Sequence, residues 1–273
     1  MQIWMLIALF LGCMGIFTVI SGASSLSWLR ADNTSGIPVD YARWAQAIYT
    51  LLLFGLPAII YANVFPMERF RWFRLYVPVK PAALVFAILS LVLFTPVVGW
   101  IASLLQEMIT DQGYKDYVKE SNANENWVMS MPSMRDLLLL LFSSAFIPAV
   151  CEELFFRGCL QQVFGQFFGQ FPQAGIWATA VIFALVHIDP AAMVPIFFAG
   201  LILGYAFYWT GSLRTTILMH FAFNSVSIVL TYIDQHSAAA AAWDFPGWLV
   251  GVCAALTFVC FGLLKRFSPE PLK

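Results

Sequence analysis

Eight predominantly apolar runs, most of them near twenty residues long, decide what this chain can fold into. They lie near 3–24, 43–65, 82–105, 136–163, 173–188, 192–210, 213–233 and 247–264, the fifth short and the fourth overlong. Crossing the hydrocarbon of a bilayer takes a helix of ~20 such residues. Inside that layer a backbone must satisfy its own hydrogen bonds, and for runs of this length a helix does so. The chain is 61% hydrophobic and 11% charged, whereas soluble domains run about 25% charged. The expectation is an all-α polytopic membrane protein of about eight transmembrane helices. It forms a single membrane domain over 1–273, with a site in a cavity within the bundle.

Punctuation agrees with this division. Pro66, Pro78 and Pro81 bracket one loop, Asp189 and Pro190 split the fifth and sixth runs, and Thr210, Gly211 and Ser212 separate the sixth and seventh. The first run has no basic residue before it and reads as a helix, not a cleaved signal. Positive charge sets orientation. The 66–81 loop holds Arg69, Arg71, Arg74 and Lys80, the C-terminal tail holds Lys265, Arg266 and Lys273, and Arg214 opens the seventh helix. The loop at 30–43 carries only Arg30 and Arg43, offset by Asp32 and Asp40, and 107–136 holds six acids against three bases. Both termini are thus expected in the cytoplasm of a bacterial cell, with the acidic segment outside. The stretch at 107–132, with Tyr114, Tyr117, Trp127 and Met129 among charges, reads as an interfacial helix or a solvated loop. A net charge of −1 leaves no basic footprint for nucleic acid. Five cysteines without a CxxC pair read as reduced, buried side chains.

Against this background three polar clusters stand out. Between 137 and 213 the full charges are Glu152, Glu153, Arg157 and Asp189, with His187 beside the last, and His220 and Asn224 follow in another apolar run. An ionisable group inside a spanning helix costs at least ~2.5–3.5 kcal/mol and is a functional-site hypothesis by default. Glu153 and Arg157 stand four apart and can pair along one face, as a structural ion pair. Glu152 is turned ~100° away and has no cation at that spacing. A carboxylate left unpaired in a low-dielectric site is suited to take a proton from water. Phe183 and His187 share a face at the end of the fifth run, and His220 and Asn224 share one in the seventh. A histidine can steer water or protonate a leaving amine, and His220 with Asn224 offers donors to the oxyanion of a tetrahedral intermediate. The set suffices for peptide hydrolysis. Two histidines and one glutamate could equally hold Zn²⁺, through Glu152, His187 and His220, although the chain has no HExxH helix. No cofactor is expected on the first reading, zinc on the second. Cys151 points ~100° from Glu152 and is not expected to act as a nucleophile, nor is His236 to act in catalysis.

Taken in order, Glu152-Glu153-x-x-x-Arg157, Phe183-x-x-x-His187 and His220-x-x-x-Asn224 resemble the three motifs of the CPBP family. These are the CAAX-prenyl-protease and bacteriocin-processing (Abi) intramembrane endopeptidases. The resemblance covers about 135–233. It implies an eight-helix protease that acts on a membrane protein or peptide, prenylated or bearing a leader. It also implies Glu152 as base, with His187, His220 and Asn224 as the other catalytic groups. Family members have been described as metal-dependent and as glutamic proteases. Two competing readings are a proton-coupled transporter with Glu152, His187 and His220 as a relay, and a non-catalytic peptide-binding immunity protein. The expected topology puts Glu152 in the cytoplasmic half of its helix and His187 in the outer half of the next. They can meet only if the fourth helix overruns the membrane and the fifth is short.

Overall fold

The computed structural model describes residues 2–22, 36–64, 73–237 and 246–268. Arg30, Asp32, Arg69, Arg71, Lys273 and the alanine run at 238–242 lie outside them. The described residues form helices and no strand. Six helices are long and apolar enough to cross a membrane: α2 (Val39–Val64), α3 (Pro81–Met108), α5 (Met134–Phe168), α7 (Pro190–Thr210), α8 (Leu213–His236) and α9 (Gly247–Phe267). Two further expected runs are also helical, α1 (Gln2–Gly22) and α6 (Pro172–Leu185). Large apolar side chains face outward on several of them, among them Leu51, Val85, Trp100, Val252 and Phe258. A soluble surface rarely carries so much contiguous apolar area, and these side chains suit lipid. All five cysteines are buried thiols outside any disulfide.

The segment between the third and fourth expected spans is α4 (Gln112–Val128), a helix with none of its residues buried. Asp111 caps it by accepting from the Tyr114 N–H at 2.8 Å. Its far end is held by Arg43, which is fully buried and bonds the Val128 and Ser130 carbonyls and the carboxylates of Asp40 and Asp136. Of the two readings of 107–132, the helix is the one observed.

Helix α5 is the scaffold of the site. It spans 35 residues, ~50 Å at 1.5 Å per residue, well beyond a hydrocarbon core of ~30 Å. Two π-helical turns interrupt it, at Leu141–Phe146 and Phe156–Leu160, either side of the α-helical stretch Ile147–Phe155 that bears both glutamates. By contrast α6 has 14 residues, ~20 Å, too short to cross alone. The lengths of the two helices are thus those that a meeting of His187 and Glu152 calls for.

Two hydrogen bonds fix where Glu152 stands along the neighbouring helix. Arg157 donates to the Gly200 carbonyl at 3.0 Å and Gln161 to the Gly204 carbonyl at 2.9 Å. The constant offset makes α5 and α7 parallel and sets Arg157 beside the middle of α7. Glu152 and Glu153 then lie about a turn nearer the Pro190 end, the end that adjoins His187.

Close approach of the backbones permits these bonds. A Cβ on Gly204 would stand 2.6 Å from Ile176 Cγ2, and one on Gly175 would stand 2.8 Å from the Gly165 nitrogen. Glycines four apart on α7, Gly200 and Gly204, thus make a small-residue seam against α6. Substituting Gly175 by Ala forces a methyl into backbone that cannot rotate away, a cost of ~1–3 kcal/mol for overpacking. Gly175→Ala should lower the melting temperature in detergent by several degrees. Gly99→Ala, where a Cβ meets nothing within 4 Å, should leave it unchanged.

Candidate active site

At the centre of the cluster is the Glu153 carboxylate. Its Oε1 accepts from Arg157 Nη1 at 2.7 Å and from His220 Nδ1 at 3.0 Å. Glu153 and Arg157 are fully buried, and His220 is 5% exposed. The i,i+4 pair is the one expected from spacing, whereas the third member comes from α8. A carboxylate acceptor requires the proton on His220 Nδ1, so Nε2 is the ring nitrogen left for chemistry. That nitrogen stands 3.9 Å from Glu152 Oε2, too long for a hydrogen bond and a separation at which a bridging water is the first thing to ask about. Glu152 Oε2 is itself buried and has no hydrogen-bond partner among the described residues. The two carboxylates therefore differ as their environments suggested, Glu153 held by two cations or donors and Glu152 by none.

Phe183 organises the rest. Its ring lies 4.7 Å from the Arg157 guanidinium carbon, 4.9 Å from the His187 ring, 6.0 Å from the His220 ring and 4.9 Å edge-on from Phe156. A cation over an aromatic face is attracted by the ring quadrupole, so Phe183 both supports Arg157 and spaces the two histidines. The sequence reading placed Phe183 with His187 but gave it no such role. The Gly200 carbonyl, which takes the second guanidinium nitrogen, was also missed, although Gly200 and Gly204 form a readable GxxxG pair.

His187 lies just past the end of α6 and is exposed. Its Nδ1–H donates to the Phe183 carbonyl at 2.7 Å, which turns Nε2 outward. Its position next to Phe183 brings it to the cluster's edge, not into bonding contact with either glutamate. Asn224 is half-buried one turn beyond His220, and its side-chain amide makes no hydrogen bond among the described residues. Cys151 packs against α2, where a Cβ on Gly55 would lie 3.0 Å from its sulfur, and has no part in the cluster. His236 bonds the Tyr232 carbonyl at the end of α8, away from the motif residues.

The turn after His187 is strained. Ile188 has φ of 60°, a left-handed conformation that is an outlier for a β-branched residue. The Asp189 N–H returns to the His187 carbonyl at 2.8 Å, closing a three-residue turn about Ile188. Asp189 Oδ1 then caps α7 at Ala191 N and accepts from Tyr114 on α4 at 3.1 Å. Burial, then the bond to Asp189, raises the Tyr114 phenol above its usual range. The surface helix is thus tied to the turn that carries His187.

Among the described residues no three His, Cys, Asp or Glu side chains are grouped to hold a metal ion. His220 offers a single free nitrogen, and His187 stands apart.

Glu152, Glu153 and His220 thus gather within an all-α bundle, with His187 exposed at the edge of the cluster. Residues 134–226 match the family model described as type II CAAX prenyl endopeptidase Rce1-like. That segment contains every motif residue, and over it the chain is similar to the CAAX-protease (CPBP) intramembrane endopeptidases. No curated protein and no solved structure matches the chain.

Two expectations follow from the geometry. Removing one partner of the buried pair leaves an uncompensated charge at a cost of ~3–5 kcal/mol. Arg157→Ala should therefore melt well below wild type, whereas Glu153→Gln/Arg157→Met should recover part of the loss. Ile188→Gly removes a strain of order ~1–3 kcal/mol. It should hold or raise the melting temperature while lowering turnover, because the turn no longer holds His187 in one orientation.

Proposed function

We propose that the protein is an intramembrane endopeptidase that hydrolyses a peptide bond of a membrane-associated substrate with water activated by Glu152. The observation that carries this reading is the buried, unpartnered Glu152 Oε2 facing His220 Nε2 across 3.9 Å. A carboxylate so placed has a proton acceptor's lone pair, no hydrogen-bonded cation, and an imidazole nitrogen near enough for one water to touch both.

In the proposed sequence Glu152 takes a proton from that water as its oxygen attacks the substrate carbonyl. The oxyanion that forms accepts from the Nε2–H of His220, which enters the cycle doubly protonated with its Nδ1–H on Glu153, and from the Asn224 amide, free because nothing in the described protein uses it. Glu153 stabilises the positive charge that His220 carries in that step, since its Oε1 already accepts from Nδ1. When the C–N bond breaks, the amine leaves with the proton first taken by Glu152, and the new carboxyl group gives the second water proton to that amine by way of Glu152, so that the products are a carboxylate and an ammonium. His187 Nε2, exposed at the cluster's edge, guides the water in or the proton out. Every step uses side chains of this chain. The substrate is a membrane peptide or protein carrying a prenylated C-terminus or a leader segment, and the basic loops, with both termini, face the cytoplasm.

The test is turnover of a bilayer-reconstituted reporter peptide, prenylated or bare, by purified protein. Glu152→Gln keeps shape but cannot accept the proton, so turnover should fall by at least ~10² while the melting temperature holds. Near wild-type turnover in this variant would exclude Glu152 as the base. Activity lost on chelation and restored by Zn²⁺ would replace the mechanism with a metal-dependent one.

A further inference from the structure

A second group of unsatisfied polar atoms lies at the other end of α8. Ser212 occupies the N-cap position, where a serine ordinarily accepts from an N–H of the first turn, yet its side chain makes no capping bond. Ser212 Oγ and Thr215 Oγ1 are buried without any partner among the described residues, on side chains 0% and 1% exposed. Buried hydroxyls left unpaired cost ~1–3 kcal/mol each, and two together point to something that satisfies them.

Ser212 and Thr215 line a cavity of about 230 Å³ together with Val79, Leu84, Arg214 and Leu218. Leu84 is in the first turn of α3, whose cap residue Lys80 also offers no side-chain capping bond. Two helix N-termini, each with free N–H groups and a partial positive charge, thus open on one cavity. The Arg214 guanidinium is anchored by Nη2 to the Val77 carbonyl at 3.1 Å, and its other donors make no hydrogen bond among the described residues. No carboxylate lines the cavity. Lys265, its ammonium 5.8 Å from the Trp209 ring, adds positive charge at this end of the bundle. The lining is rich in donors and in positive potential, with apolar side chains around it. That chemistry suits a tetrahedral oxyanion attached to something apolar, and the volume lies below the ~300–1,000 Å³ of pockets that enclose whole small molecules.

We propose that this cavity between α3 and α8 binds a phosphate group, held by the Arg214 guanidinium, the Ser212 and Thr215 hydroxyls and the first-turn N–H groups of α8. Two sources share that chemistry, the headgroup of an anionic phospholipid and free phosphate. The site is separate from the motif cluster, and its occupancy is independent of whether the protein cleaves peptides.

Native mass spectrometry of the full chain in a phosphate-free neutral detergent tests it. Phosphatidic acid is titrated in one arm, phosphatidylcholine in a second and inorganic phosphate in a third. Phosphatidic acid should bind at least ~10-fold more tightly than phosphatidylcholine, and Arg214→Gln should weaken it ~10-fold, the loss of one charge-assisted contact. Ser212→Ala/Thr215→Val, which removes only the buried hydroxyls, should weaken it several-fold while the lipid-free protein melts as wild type. Binding of inorganic phosphate with the same dependence on Arg214 would identify the free anion as the ligand. Phosphatidic acid affinity that is unchanged in both variants, or absence of binding in all three arms, overturns the proposal.

Discussion

One oxygen atom holds the interior of this bundle in register. Glu153 Oε1 receives Arg157 from its own helix and His220 from α8, and Arg157 reaches on to the Gly200 carbonyl of α7. Three helices are thereby locked through a single carboxylate in a region where lipid gives no hydrophobic drive for helix association. Polar contacts and close packing must supply it there. The chain of contacts also fixes the chemistry. Because Glu153 claims one nitrogen of His220, the other is aimed at Glu152. Because Arg157 neutralises Glu153, the second glutamate can sit beside the first without both competing for the same cation.

The small residues of α7 make the arrangement sterically feasible. Gly200 and Gly204 let α6 approach until Phe183 and Ile176 rest on bare backbone, which is how Phe183 comes within reach of Arg157 and both histidines. A larger residue at either position would separate the aromatic spacer from the cation it supports. Structure here is built from a seam of missing side chains as much as from the charged ones.

The helical runs and the motif residues were legible because both rest on local properties. A spanning helix announces itself by length and apolarity, and Glu153 with Arg157 by a spacing of four. What was not legible depends on how helices meet. The bond between Glu153 and His220 joins residues 67 apart, and no periodicity within either helix reports it. The height of Glu152 against its neighbours was not legible either, because a 35-residue helix gives no internal mark of it, whereas the bonds of Arg157 and Gln161 to the Gly200 and Gly204 carbonyls do. The three-residue turn at Ile188 carried no signal at all, since a β-branched residue is the last expected in a left-handed conformation. The unsatisfied hydroxyls of Ser212 and Thr215 looked in the sequence like an ordinary helix start.

The paired π-turns of α5 bear on how such a helix can change over evolution. Each wide turn holds one residue more than the α-helix around it, the usual trace of a one-residue insertion, and such turns recur at functional sites. With one on each side of Ile147–Phe155, the stretch bearing the glutamates is rotationally uncoupled from both ends of the helix. Substitutions that retune the lipid-facing or terminal portions can then accumulate without turning Glu152 off its target. Losing a single residue from either wide turn would swing the whole glutamate segment by ~100° relative to that end. The helix tolerates much change in its composition and very little in its length.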